Sequence, residues 1–279
     1  MPFMRAASLP FSRLNRQVMA VGMADTLAYR GSFFLQLFFM LFPLVTSLLL
    51  WSAVFRGGGT AMLPGGFDAH RMLSYYLVTA FVGLVSFMGD MQFEVTGAIK
   101  DGQLNKFLVR PVNYIMVEWH LRMASVVINT VLIAIPAALV LFFARSVLVV
   151  PGEAWRWGAF LLSVFLGMQI GFLLGLLIGL LAFWMLETSA FLHALMPIQM
   201  MLNGTWFPLE LLPKKVYAVL GSLPWAYQRY FSMKVYLGQL DPFETLVGLA
   251  IQTAWVLGLS LLTAWVWKRG IRRYGAVGG

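Results

Sequence analysis

The chain has 279 residues, 60% of them hydrophobic and only 11% charged, and a mean hydropathy of +0.80. A soluble domain carries roughly 25% charged residues, so that class is excluded and the chain reads as an integral membrane protein. The absence of cysteine excludes a disulfide framework, a thiol nucleophile and a thiolate metal site, and the net charge of +9 is better read as basic flanks against anionic lipid headgroups than as a nucleic-acid surface.

Residues 1–30 carry Arg5, Arg13, Arg16 and Arg30, which leaves no apolar core of signal-peptide length. Within them, Ser12 to Arg30 mixes Leu14, Val18, Met19, Val21, Met23 and Leu27 with Arg13, Arg16, Asp25 and Arg30. That is the composition of an amphipathic helix lying in the membrane interface; a solvated basic tail is the bland alternative. Beyond it, charge-free windows of about 20 residues mark membrane spans. They run Gly31 to Phe55, Met72 to Gly89, Met123 to Ala144, Trp157 to Leu186, Thr188 to Leu209 and Thr245 to Trp267. The runs are continuously apolar, unlike the alternating strands of a β-barrel. The predicted fold is all-α and polytopic, with six transmembrane helices at about 31–55, 72–90, 122–144, 158–185, 188–207 and 245–267.

Between the second and third windows, Glu94 to Pro111 alternates charged residues with Ile99, Leu104, Phe107 and Leu108. Pro111 ends any helix before it, and a short amphipathic helix here fits a docking knob for a soluble partner or an interfacial helix touching lipid. The fourth window holds Gly167, Gly171, Gly175 and Gly179, four glycines at spacing four, which make one smooth helical stripe open to another helix backbone. The stripe suits a sliding contact or static packing, within the chain or between chains. Only Glu187 separates the fourth and fifth windows, which predicts a helical hairpin with a tight turn. The fifth is the weakest, because Pro197, Asn203, Gly204 and Pro208 interrupt it, and five spans is the alternative. From Asn203 to Tyr227, prolines and aromatics cluster, which predicts broken or re-entrant helices at the outer mouth.

Charge asymmetry favours six spans. Arg5, Arg13, Arg16 and Arg30 at one end, and Lys268, Arg269, Arg272 and Arg273 at the other, both belong in the cytoplasm under the positive-inside rule. An even number of spans puts Lys100, Lys106, Arg110 and Arg122 on that side too, for twelve of the 20 basic residues.

No reaction-bearing motif is present. There is no G-x-x-x-x-G-K-[ST], H-E-x-x-H or G-x-S-x-G. His70, His120 and His193 share no ligand spacing, so no metal site and no catalytic residue is predicted. Asp90, Glu94 and Glu187 stand at span ends and none lies mid-span, which weighs against a proton-driven pump.

Three stretches together resemble the permease subunits of ABC-2-type ABC transporters. They are Ile99-Lys-Asp-Gly102-Gln-Leu104-Asn-Lys-Phe-Leu108-Val-Arg110-Pro111, the proline-rich Gly204-Thr-Trp206-Phe207-Pro208-Leu-Glu210-Leu-Leu-Pro213 followed by Leu223-Pro224, and the end Arg273-Tyr274-Gly-Ala276-Val277-Gly278-Gly279. The likeness covers most of the chain in order and spacing. It implies a cytoplasmic amphipathic segment over 1–30 and a single transmembrane domain over 31–279. It also implies a second permease subunit, identical or related, and a separate cytoplasmic ATPase dimer that carries the ATP and magnesium. No cofactor is expected on this chain. The helix after the second span would be the coupling helix, with Glu94, Ile99, Lys100, Asp101, Leu104 and Lys106 as candidate ATPase contacts. The stripe glycines would serve helix packing, dimerisation or gating, and Phe34, Phe38 and Phe42 on the first span are candidate cargo contacts. The implied protein is an exporter of amphiphilic, lipid-like, glycan or drug-like cargo in a bacterial cytoplasmic membrane, with both termini inside. A secondary transporter or channel without an ATPase is the alternative.

Overall fold

The computed structural model describes residues 42, 45–57, 63–86, 91–109, 113–143, 145–146, 148–185 and 187–277. The segment 1–30, Phe34, Phe38, Asp90, Arg110 and Pro111 lie outside the described residues. Among the described residues the chain is helical throughout, and its only β pairing is an isolated bridge between Leu63 and Phe67.

The elements follow from local chemistry. Helix α1 is Val45–Arg56. Asp68 starts α2 (Ala69–Val85): its carboxylate accepts from the Arg71 N–H at 2.8 Å. Helix α2 stops at Val85, short of the expected residue 90, and the next helix, α3 (Met91–Lys100), is separate. One helical turn, α4 (Asn105–Leu108), comes next, then α5 (Tyr114–Phe143). Arg122 was expected at the loop edge and instead lies two turns inside α5. The physical reason is that it pairs with Glu118 at 3.4 Å one turn earlier, so the two charges continue the helix where a charge-free window would end.

Helix α6 (Ala154–Leu180) tightens into a 3₁₀ turn, Leu181–Phe183. The expected turn at Glu187 is present: its carboxylate accepts from the Ser189 N–H at 2.9 Å and opens α7 (Ser189–Leu202). The helix there differs from the expected one in length and in pairing. At 14 residues α7 is about 21 Å long, short of a hydrocarbon core of roughly 30 Å, because Asn203 ends it and Gly204 (φ +78°) turns the chain. Nor does it pair with α6 as a hairpin, since its main partners are α3 and α9. The predicted broken helices follow, each bounded by proline: a 3₁₀ turn at Leu209–Leu211, α8 (Lys214–Leu220) and α9 (Pro224–Gln228). After α10 (Tyr230–Tyr236), α11 (Pro242–Val277) opens on a reciprocal cap. There the Asp241 N–H donates to Glu244 at 3.0 Å, and the Glu244 N–H donates to Asp241 at 2.7 Å.

Helix α6 is the hub, packed by α3, α9, α10 and α11. Two apolar clusters sit along it. One joins Phe160 to Tyr75, Tyr230, Met233 and Tyr236. The other joins Ile170 to Phe183 with Val95, Ile99, Leu104 and Tyr114. The α11 face carrying Leu246, Leu257, Leu261 and Trp265 is exposed, which suits a surface turned to lipid or to a partner in the membrane. Helices α6 (with its 3₁₀ turn) and α11 are long and apolar enough to cross a membrane.

Candidate functional site

The first candidate site is the turn between α3 and α4. Gly102 (φ +71°) reverses the chain, a backbone conformation glycine adopts without penalty. The Gly102 N–H donates to Ile99 O at 3.4 Å and the Leu104 N–H to Ala98 O at 3.2 Å, which satisfies the end of α3. Of the six predicted contacts, Ile99 and Leu104 are buried, Leu104 completely, and they anchor the turn in the core. Lys100, Asp101 and Lys106 are exposed beside Gln103 and Asn105. Lys106 Nζ donates to Gln103 Oε1 at 3.4 Å and lies 5.5 Å from the Phe107 ring centre. The result is a polar rim on an apolar pin.

Glu94 points elsewhere. Its carboxylate accepts from both terminal nitrogens of Arg122, whose side chain is only 8% exposed, and Glu118 approaches the same guanidinium at 3.4 Å. Burial raises the Glu118 pKa and Glu94 raises it further, against the lowering by Arg122. This cluster ties α3 to α5. Aromatic rings continue the tie: Tyr114 stacks on Trp267 at 5.4 Å, Phe107 meets Tyr114 at 5.1 Å, and Phe183 meets Tyr274 at 6.0 Å. The end of α11 therefore rests on the α3–α4 turn and on the end of α6.

The glycine stripe packs within the chain, and it divides in two. A β-carbon on Gly167 would fall 2.2 Å from Gln228 O, and one on Gly171 would fall 2.7 Å from Gln228 Nε2, so these two receive the end of α9. One on Gly179 would fall 2.7 Å from Val95 Cβ, while at Gly175 the nearest atom is Met91 Cβ at an ordinary 3.6 Å, so this pair receives α3. Thr96 Oγ1 donates to Gly179 O at 3.4 Å across that contact. The Gly175–Gly179 half of the stripe is thus where α3, the helix leading into the turn, meets the hub helix.

Along the stripe lies a cavity of about 180 Å³, lined by Gln92, Gln199, Asn203, Gln228 and Arg229 together with Met91, Met168, Met196, Met200 and the stripe glycines Gly167, Gly171 and Gly175. Gln199 Nε2 donates to Gln92 Oε1 at 3.2 Å, and Arg229 Nη1 donates to Thr205 Oγ1 at 3.1 Å. Burial lowers the Arg229 pKa, with Tyr75 acting the other way. A second cavity of about 280 Å³ is lined by Tyr217, Tyr227, Tyr230, Phe231, Lys234 and Phe243 among others. Its Lys234 is paired with Glu210 at 3.5 Å and donates to the Tyr217 hydroxyl at 3.2 Å. Burial opposes the Lys234 charge, but Glu210 and Tyr217 outweigh it and raise the pKa. Reading the sequence by charge alone missed the amide groups of the first cavity; Gln199 and Asn203 inside an apolar window were the available signal. Phe42 is helical and 65% exposed, and it lines neither cavity.

Among the described residues no three His, Asp or Glu side chains gather as metal ligands. The assembled features are a tight helix contact, a clamped surface turn and a polar cavity against the hub helix, which suit binding and movement. A comparison with curated proteins finds no match. The family model described as ABC-2 family transporter protein matches residues 41–278, a stretch that holds α1, the α3–α4 turn, the stripe and both cavities. A chain matched over that length, with membrane-length helices and an apolar surface, belongs to the ABC-2 family of transporter permeases.

Proposed function

We propose that the chain is the membrane-spanning subunit of an ATP-driven exporter. It would work as a dimer with an identical or related permease and seat a separate ATPase, which holds ATP and magnesium, against the α3–α4 turn. Six membrane segments, α7 being the short one, would leave both termini in the cytoplasm of a bacterial cell and the α8–α10 helices outside. The cargo class is amphiphilic. The observation that carries this reading is the construction of the turn: an exposed rim of Lys100, Asp101 and Lys106 sits on a fully buried Leu104. It is joined by Glu94–Arg122 to α5 and by Val95–Gly179 to α6. A push on the rim would be delivered to the hub helix instead of being lost in a loose loop.

The test is co-purification in mild detergent from the native host. The expected result is a P-loop ATPase bound to the wild-type chain and lost from a Lys100→Asp, Lys106→Asp double variant whose unfolding temperature is unchanged. A chain that purifies without an ATPase, or a double variant that retains it fully, overturns the assignment.

A further inference from the structure

The 180 Å³ cavity has an unusual balance of groups. Arg229 is one of its lining residues; its guanidinium donates to Thr205 Oγ1 at 3.1 Å, and among the described residues it makes no ion pair. Gln92, Gln199, Asn203 and Gln228 line the cavity with it, and none of the described lining residues is Asp or Glu. Asn203 spends its Oδ1 on the Thr205 N–H at 3.0 Å and the Thr205 hydroxyl at 2.7 Å, so its remaining hydrogen-bonding group is an NH₂ donor. Gln92, which is buried, accepts from Gln199 on its Oε1 at 3.2 Å and keeps its NH₂ as a donor. The rest of the lining includes thioether and aromatic groups: Met168, Phe172, Met196 and Met200. The larger cavity is different, because its Lys234 is already neutralised by Glu210.

From this arrangement we infer that the cavity binds the anionic headgroup of an amphiphile, a phosphate or carboxylate held by Arg229 and the amide donors, with the apolar part against the methionine side chains. The inference deepens the transport reading and rests on it only for the direction of movement. Size supports a headgroup over a whole molecule: drug-sized ligands fill roughly 300–1,000 Å³, and this space is about 180 Å³. The energetic argument is direct. A part-buried guanidinium that makes no ion pair among the described residues is incompletely compensated, and an arriving anion would make charge-assisted hydrogen bonds to it.

The purified full chain in a neutral detergent is titrated with dihexanoyl phosphatidic acid, dihexanoyl phosphatidylcholine and inorganic phosphate, and the unfolding temperature and apparent Kd are read. The phosphatidic acid should stabilise the chain and the phosphatidylcholine should not. Arg229→Gln should weaken phosphatidic acid binding roughly 10- to 100-fold, the loss of one charged hydrogen-bond donor. Should that variant fail to fold, Met200→Glu places a carboxylate in the same cavity and should abolish the selectivity for the anion. Equal binding of both lipids, or wild-type binding by both variants, overturns the inference. Equal stabilisation by inorganic phosphate overturns its amphiphile part. Asp90 stands in sequence between the lining residues Ser86 and Met91. Anion binding that emerges only in Asp90→Asn would show Arg229 already paired, and the inference would fall. No ATPase enters this experiment, so its failure and the failure of ATPase co-purification are separate results.

Discussion

At Gly179 a β-carbon would sit 2.7 Å from Val95 Cβ and 3.0 Å from the Gln92 carbonyl oxygen, and backbone cannot move aside as the tip of a side chain can. Gly179→Ala should therefore cost about 1–3 kcal/mol of stability by forcing α3 off the hub helix. Gly175→Ala, with its nearest neighbour at 3.6 Å, should be neutral or stabilising by up to about 1 kcal/mol, since alanine is the better helix former. Chemical or thermal unfolding in detergent separates the two, and equal effects would remove the distinction drawn within the stripe. Glu118 offers a pH test. Burial and Glu94 hold its folded pKa above the ordinary value of 4.5, so the fold favours its protonated form. The resulting stability is fully present below the unfolded pKa and is lost as pH rises through the higher folded one. Glu118→Gln should flatten that part of the unfolding temperature–pH curve, and an unchanged slope would place the titration elsewhere.

The α3–α4 turn is a composite element, and its parts should fail differently. Leu104 is fully buried, so Leu104→Ala should cost about 2–5 kcal/mol and lower the yield of folded protein. Lys100 and Lys106 are exposed, and replacing them should leave stability within about 0.5 kcal/mol while abolishing the proposed ATPase contact, read by co-purification. In the proposed contact, the buried Ile99 and Leu104 would hold the rim in place from beneath. The amphipathic pattern of the loop showed which residues are apolar but not that a glycine turn would fold Leu104 under α3. Gly102 was visible in the sequence; its φ of +71° and the inward course of the chain were not.

Across the whole molecule, the end of α11 and the α3–α4 turn share one end of the fold, as the Tyr114–Trp267 stack requires. Helices α8 to α10 belong to the other, around Tyr75 and Phe160. The chain has no native cysteine, so single cysteines report topology without background. Cysteine at Gln103 and at Arg273 should react with a membrane-impermeant maleimide only from the cytoplasmic side, and cysteine at Lys215 only from outside. Labelling of all three from one side would exclude the six-segment arrangement. At 36 residues α11 is about 54 Å long, well beyond a hydrocarbon core of roughly 30 Å, and the excess lets it reach the turn.

Composition and charge spacing were enough to establish a helical membrane chain, since apolar surface on that scale has no other stable place and every buried backbone group must be paired within a helix. They also marked the turn at Glu187, the broken helices before α11, and the residue pattern that resembles this family. They did not find where α7 ends, that Glu118 and Arg122 lie inside a helix, or that the stripe divides between α3 and α9. Each of these depends on a partner distant in sequence: Arg122 on Glu94, Gly179 on Val95, Gly167 on Gln228. The cavity beside Arg229 depends on the same kind of meeting, because its amides are single polar residues scattered over α3, α7 and α9. Local sequence sets which segments are apolar and where helices start, while only close packing decides which polar groups face one another across the hub helix.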